Sequence, residues 1–207
     1  MTSIPRCRPF ARAPQAGVLS YLRGEGYCSE RGEGTSVGSR MTETLSDSLP
    51  CDVEVLVEGV LKAACDHRVA LATAESCTGG LLASVLTDVE GCSHVFERGF
   101  VVYTDAAKSD LLGVPADLIA TEGAVSEAVA RAMAEGAITR SEAGLAVAIT
   151  GFAGAAGPGE EEGRVHFALA RRGGETVHVL RRFGEIGRGP CRLACLRQAL
   201  TMMAAAL

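Results

Sequence analysis

Apolar residues recur at helical spacing over residues 52–67, the first part of the chain with any periodicity. The apolar positions, three and four residues apart, are Val53, Leu56, Val57, Val60, Leu61 and Ala64. Such a stripe is typical of an amphipathic helix that packs on a core. The apolar run over residues 69–74 is short and uninterrupted, which predicts a strand that is buried on both faces.

The rest of the chain alternates between these two patterns. Helical spacing predicts helices over residues 78–87, 105–112, 126–139 and 192–205, and short apolar runs predict strands over 96–103, 145–149, 165–170 and 176–183. Two glycines between the last two strands predict a hairpin. Strands that alternate with helices and end in a hairpin indicate an α/β fold. We expect a three-layer α/β/α sandwich with a mixed sheet of about five strands.

The beginning of the chain lacks such a pattern. Residues 1–40 are rich in Gly, Arg, Pro and Ser and show no periodicity. We predict that residues 1–45 form a disordered extension. The alternative is that the protein starts at Met41 and that the preceding residues are not part of it. In either case the folded domain spans residues 46–207.

The net charge of −5 is unevenly distributed, because the first forty residues carry more arginines than acidic residues. The folded part is therefore acidic, which argues against nucleic acid as a partner. No apolar run approaches the roughly 20 residues that span a bilayer, and no secretory signal is recognisable. We expect a cytoplasmic protein without a membrane partner.

The eight cysteines form no C-x-x-C pair, and the four histidines do not cluster with them in sequence. Without a secretory context, free buried thiols are a simpler interpretation than a disulfide framework. A structural zinc site would need ligands at finger-like spacing. We therefore expect no bound metal.

Residues 74–80 join the predicted buried strand to the next helix, with Ser76 just past the strand and two glycines at the helix start. A serine at this position is a candidate nucleophile, and backbone N–H groups at a helix start can hold a phosphate or a developing oxyanion. The alternative is a capped helix after a strand. Glu75 is open to two interpretations in the same way, as an acid–base residue or as a charge that favours the helix start.

Lysine is rare in this chain: of the 20 basic residues only Lys62 and Lys108 are lysines. Arginine cannot deprotonate, whereas a desolvated lysine can act as a general base. Lys108 follows the strand that ends near Tyr103, and strand ends commonly line α/β sites. A Ser–Lys pair is one hypothesis, and a solvated helix lysine is the other. Tyr103 could assist at the same site or serve only in packing.

Several short strings, taken in order, resemble the family of CinA C-terminal domains, which includes nicotinamide mononucleotide amidases. The strings lie at residues 74–82, 102–108, 123–127, 133–134, 149–154 and 188–192. Each string is short, so their common order over about residues 52–207 carries the resemblance.

The resemblance implies an amidase that needs neither a metal nor a cofactor. It would hydrolyse the carboxamide of nicotinamide mononucleotide to nicotinate mononucleotide and ammonia. The matching positions are Ser76 as nucleophile, Lys108 as base and Tyr103 as an assisting residue. The positions that would contact the nucleotide are Thr78, Gly79, Thr150, Gly151, Gly154, Arg188 and Arg192. A homodimer is also implied.

The chain departs from the family pattern at the glycine loop, where Ala155-Ala156 is followed by three glutamates at 160–162, and at Gly187, which replaces an acidic residue. These departures leave open a nucleotide-binding or protein-interaction module with weakened catalysis. A DNA-linked role, suggested by the family's competence association and the arginine-rich extension, is a third hypothesis. Within the enzyme hypothesis Cys77 is a rival nucleophile, since thiolates are more reactive than hydroxyls.

Overall fold

The structure, a computed structural model, describes residues 49–89 and 91–207. The extension predicted over residues 1–45 lies outside the described residues. The elements, in chain order, are α1 (Cys51–His67), β1 (Leu71–Glu75), α2 (Leu81–Thr87), β2 (Phe96–Val101), α3 (Asp105–Leu112), α4 (Ala116–Glu122), α5 (Glu127–Thr139), β3 (Leu145–Gly151), β4 (Arg164–Arg171), β5 (Val177–Arg182) and α6 (Arg188–Ala206), with a 3₁₀ turn (Ser93–Val95) before β2.

The five strands form one mixed sheet in the order β2-β1-β3-β4-β5. β1 pairs in parallel with both β2 and β3, whereas β4 runs antiparallel to β3 and β5 antiparallel to β4. The predicted α/β fold, a three-layer sandwich with a mixed sheet of five strands, is therefore confirmed.

The two faces of the sheet differ in side-chain size. Large residues such as Leu71, Ile149 and Phe167 point to one face, which α1, α2 and α6 cover. Alanines of β1, β3 and β4, among them Ala74 and Ala148, point to the other face, which α3, α4 and α5 cover. We call these the large-residue face and the alanine face. Alternation along a strand assigns each neighbouring residue to the opposite face.

The alanine face lets α5 lie close to the sheet. Most buried residues of α5 are themselves small: Ala130, Ala134, Gly136 and Ala137. A Cβ atom at Gly136 would overlap the carbonyl oxygen of Leu112 in α3, so α3 and α5 also touch backbone to backbone. Close packing of small residues therefore fixes the depth of α5 over the sheet.

Prolines explain two differences from the predicted helices. Helix α4 has no counterpart among the predicted helices, because a glycine and a proline such as Gly113 and Pro115 commonly mark the end of a helix. Pro115 in fact begins one, as the residue that precedes the first turn. Similarly, α6 begins at Arg188 rather than at residue 192 and holds Pro190 in its first turn, where the missing N–H leaves no hydrogen bond unmade.

The thiols of Cys77, Cys92, Cys191 and Cys195 are buried and free, as expected. Every helix among the described residues is too short or too polar to span a bilayer.

Candidate active site

The carboxyl ends of the three parallel strands meet at one edge of the sheet, and the candidate residues lie there. Ser76 continues β1 by one residue, since its N–H donates to Ile149 O of β3 at 3.0 Å. Val102 N–H in turn donates to Glu75 O at 2.8 Å, which keeps the end of β2 in register. Helix α2 leaves β1 on the large-residue face, and α3 leaves β2 on the alanine face. The edge where helices leave neighbouring strands towards opposite faces of the sheet is the usual place for a ligand in an α/β fold.

The carboxylate of Glu75 is buried and holds the start of α2. It accepts hydrogen bonds from the N–H groups of Gly80 at 3.1 Å, Leu82 at 3.0 Å and Ala83 at 2.8 Å. A helix start carries unpaired N–H groups and a partial positive charge, so a buried carboxylate there satisfies both. Glu75 is therefore a helix cap. This finding also shows that these three N–H groups are not free to bind a phosphate or an oxyanion.

The chain turns sharply between Glu75 and α2. Gly79 and Gly80 have φ angles of 66° and 91°, a region that side chains other than glycine rarely adopt. The predicted helix over residues 78–87 therefore begins later, at Leu81. Among the described residues, no acceptor is bound to the N–H groups of Cys77 and Thr78. These two N–H groups, next to Ser76, remain available to a ligand.

Ser76 and Cys77 point to opposite faces of the sheet. Glu75 and Cys77 are both directed to the large-residue face, because the first binds α2 and the second lies in the core beside Cys195 of α6. Hydrogen bonds to the thiols of Cys191 and Cys77, together with burial, raise the pKa of Cys195. Because Ser76 continues β1 and lies between these two residues, alternation directs its side chain to the alanine face, where α3 lies.

Lys108 is buried, with 1% of its surface exposed. It lies in the first turn of α3, which Thr104 caps by accepting the N–H of Ala107 at 3.2 Å. The Nζ atom donates to the carbonyl oxygen of Tyr103 at 3.4 Å and lies 3.5 Å from Asp105 Oδ1. An ammonium has three donors, so one remains for a further partner. The hypothesis of a solvated helix lysine is thus wrong.

Tyr103 lies at the mouth of the site, with 64% of its surface exposed. The hypothesis that it serves only in packing does not fit this exposure.

Thr150 and Thr78 are buried hydroxyls near Ser76. Thr150 Oγ1 donates to the carbonyl oxygen of Ala124, just before α5, at 2.8 Å, so its remaining capacity is as an acceptor. The hydroxyl of Thr78 has no hydrogen-bond partner among the described residues. A buried polar atom without a partner costs free energy, which a ligand or water would recover.

The two arginines at the start of α6 reach the loops after β1 and β3. Arg192 Nε donates to the carbonyl oxygen of Cys77 at 2.9 Å, and its guanidinium lies beside Gly79. The guanidinium of Arg188 lies over Gly154, where a Cβ atom would come within 3.0 Å of it. Gly154 therefore makes room for the guanidinium of Arg188, whereas Gly79 is required to be glycine by its positive φ angle. Gly151 has a different reason to be glycine, because a Cβ atom there would strike Val165 of the paired strand β4 at 2.7 Å.

Two of the three glutamates after the glycine loop are paired. Glu160 forms an ion pair with Arg164, and Glu161 Oε2 lies 2.9 Å from Arg182 Nε. Their charges are thus opposed by arginines of β4 and β5.

A chain of three titratable side chains on β4, β5 and α5 was not anticipated from the sequence. His166 Nδ1 and His178 Nε2 are 3.0 Å apart, and His178 Nδ1 lies 3.2 Å from Glu127 Oε2. The available signal was the predicted hairpin, which brings two histidines twelve residues apart onto adjacent strands. We call this set the histidine chain.

Comparisons with known proteins agree with this architecture. The family model described as the CinA C-terminal domain matches residues 53–207. A competence-damage inducible protein of Symbiobacterium thermophilum is 44% identical over 175 residues, which cover 82% of this chain and 40% of that protein. A CinA-like protein of Akkermansia muciniphila is 57% identical over 107 residues, covering 51% of this chain and 26% of that protein. The chain thus matches less than half the length of these curated relatives.

Two solved structures share the fold. The competence/damage inducible protein CihA of Agrobacterium tumefaciens has a TM-score of 0.74 at 45% identity, covering 76% of this chain and 96% of that one. The competence damage-inducible protein A of Klebsiella pneumoniae has a TM-score of 0.70 at 32% identity, covering 74% and 95%. The chain therefore belongs to the family of CinA C-terminal domains.

Proposed function

We propose that the chain is an amidase that hydrolyses the carboxamide of nicotinamide mononucleotide with Ser76 as nucleophile and Lys108 as base. The observation that carries this proposal is the buried Lys108 on the face of the sheet to which Ser76 is directed. After its contacts with Tyr103 O and Asp105 Oδ1, the Nζ atom has one position left towards Ser76 or the substrate, and an amine, unlike a guanidinium, can act as a general base there.

In the proposed reaction Lys108 takes the proton of the Ser76 hydroxyl while Oγ attacks the carboxamide carbon. The N–H groups of Cys77 and Thr78, which are unpaired among the described residues, would hold the developing oxyanion. Collapse of this intermediate breaks the C–N bond, and Lys108 gives its proton to the departing ammonia. Water then attacks the acyl-enzyme, again with Lys108 as base, and releases nicotinate mononucleotide.

Arg188 and Arg192 would bind the substrate phosphate. Both lie beside glycines of the loops at the same edge of the sheet, and guanidinium groups form strong, directional hydrogen bonds with phosphate. Tyr103, exposed at the mouth, would contact the substrate, and Thr78 would find in it the partner its hydroxyl lacks.

Purified protein incubated with nicotinamide mononucleotide should release ammonia. Ser76→Ala should abolish the release, and Cys77→Ala is the matched control because its thiol lies in the core away from α3. Loss of activity in Cys77→Ala alone would reverse the assignment of the nucleophile. No release by the wild-type protein would overturn the proposal.

The rival function is a nucleotide-binding or protein-interaction module with weakened catalysis. Its main support was the acidic run after the glycine loop, and the pairing of Glu160 and Glu161 with arginines weakens that support. Thermal stabilisation by the nucleotide without turnover would favour this rival. The homodimer implied by the family and the cytoplasmic location remain proposals, the first of which light scattering on the purified protein can test.

A further inference from the structure

The histidine chain connects the exposed surface of α5 to the edge of the sheet that holds the candidate site. Glu127 lies at the outer end, and Arg131 Nε also donates to its carboxylate at 2.8 Å. His178 is in the middle, and His166, with 9% of its surface exposed, is at the inner end. The two histidine nitrogens bond to each other, so they do not form a pair of metal ligands.

The chain fixes the tautomer of each ring. A carboxylate only accepts hydrogen bonds, so Nδ1 of His178 carries the proton that faces Glu127. In neutral His178, Nε2 is then an acceptor, and His166 must donate from Nδ1. This leaves Nε2 of His166 as a hydrogen-bond acceptor. It makes no hydrogen bond with any described residue.

His166 lies in the same row as Ser76. Thr150 pairs directly with His166 across β3 and β4, and both point to the alanine face because Ile149 and Phe167 point to the other. Ser76 follows Glu75, which pairs with Ile149, so Ser76 lies at the level of Thr150 on the next strand. Two strand spacings separate Ser76 from His166, or roughly 10 Å. A mononucleotide can span that distance.

The surroundings of His166 keep its ring neutral. Burial, His178 and Arg164 lower its pKa to about 4. The charged and titratable groups that face it are Arg164 on β4, His178 and Arg182 on β5, and Glu127 on α5, with Arg131 acting through Glu127. A neutral imidazole with a free lone pair binds donors and does not bind anions.

We propose that His166 is a substrate-binding residue whose Nε2 accepts a hydrogen bond from a sugar hydroxyl of the nucleotide, with His178 and Glu127 as positioning residues. The inference rests on the proposed substrate. The phosphate offers only acceptors, and the carboxamide occupies Ser76. The hydroxyls of the sugar are the donors that remain.

Two substitutions of similar size separate the two nitrogens of His166. In His166→Asn the amide reaches the position of Nδ1, so the contact with His178 is kept and the inner acceptor is lost. In His166→Gln the amide reaches the position of Nε2, so an acceptor is restored there. The binding of nicotinamide mononucleotide should be measured by calorimetry in a Ser76→Ala background, where no turnover occurs.

We expect His166→Asn to bind about three- to tenfold more weakly, the size of one neutral hydrogen bond, and His166→Gln to bind close to the parent. A nucleotide analogue that lacks the sugar hydroxyls should bind the Asn and His forms equally. Glu127→Gln, which frees the tautomer, should weaken the binding of the normal nucleotide and not of the analogue.

Equal binding of the nucleotide by the parent, His166→Asn and His166→Gln would overturn the inference. Equally weakened binding by the two variants would also overturn it, because it would indicate a structural role for His166. The inference would also be overturned if His166→Asn bound the analogue without sugar hydroxyls more weakly than the parent protein does. If the wild-type protein releases no ammonia but the expected binding pattern is seen, the inference stands and the proposed function fails. Absence of binding in every form overturns the inference, and the proposed function is then decided by the release of ammonia from the wild-type protein alone.

Discussion

Lys108 Nζ and the carbonyl oxygen of Tyr103 are 3.4 Å apart, so the side chain of α3 folds back onto the end of the strand that precedes it. Side chains in the first turn of a helix point towards its N-terminus, and here that direction leads to the carboxyl edge of the sheet. The carbonyl of Tyr103 and the carboxylate of Asp105 hold the amine in place and leave its third bonding position, a lone pair when Lys108 acts as the base, for Ser76 or the substrate.

Lys108→Arg should reduce ammonia release by at least about 100-fold, because arginine keeps the charge and cannot act as a base. Lys62→Arg is the matched control, since Lys62 is exposed on α1 and pairs with Asp66 at 2.6 Å. We expect the control to retain full activity. A Lys108→Arg protein that folds and keeps wild-type kcat would rule out Lys108 as the base.

Glu75→Gln should destabilise the fold by about 1–3 kcal/mol. The amide can accept from fewer of the three N–H groups and turns a donor towards the rest, which leaves buried donors unpaired. Urea unfolding measures the change. Glu58→Gln on the exposed side of α1 is the control, expected to stay within about 0.5 kcal/mol of the wild type. Equal stability of the two variants would contradict the assignment of Glu75 as a cap.

His166 should make the fold sensitive to acid. Its folded pKa of about 4 lies below the ordinary value of 6.5, so the unfolded chain binds more protons between these pH values. The stabilising contribution is complete above pH 6.5 and is lost as the pH falls towards 4. Burial lowers the pKa of His178 in the same direction. Unfolding free energies measured from pH 7 to 4 should therefore fall less steeply in His166→Asn, and parallel curves would be the contrary result.

Gly154→Ala should raise KM for nicotinamide mononucleotide several-fold and leave stability nearly unchanged. The new methyl group displaces the flexible guanidinium of Arg188, which would weaken its contact with phosphate. Gly157→Ala is the control, because nothing lies within 4 Å of the Cβ position there. Nicotinamide riboside, which lacks the phosphate, should show no such difference. A KM increase shared by the riboside would show that Arg188 does not act on the phosphate.

Local patterns were sufficient to predict most of this fold. The helices and strands with a clear apolar period were placed within a few residues, and the mixed sheet followed from their order. Helix α4 was missed because a proline after a glycine can either end a helix or begin the next one. Which of the two happens at Pro115 depends on how Ile119 packs against the core, which is a tertiary contact.

The candidate site was predictable to different degrees. Lys108 stood out because lysine is rare in the chain, but its burial depends on the packing of α3. The role of Glu75 could not be decided, since a carboxylate before a helix suits both catalysis and capping until its three partners are known. His166 and His178 carried no motif at all. Their pairing depends on strand register, and Glu127 joins them from a helix distant in sequence.

The alanine face has a consequence for how the site can change. Thr150 is held by the carbonyl oxygen of Ala124, in the short segment before α5. Helix α5 itself packs on methyl groups of the sheet such as that of Ala148. Any larger side chain in that layer would lift the helix, and with it the anchor of Thr150 and the carboxylate that orients His178. Core positions without a polar atom near the substrate would then alter substrate binding. Selection for substrate binding should therefore keep the residues of the alanine face under α5 small, although these residues do not contact the substrate.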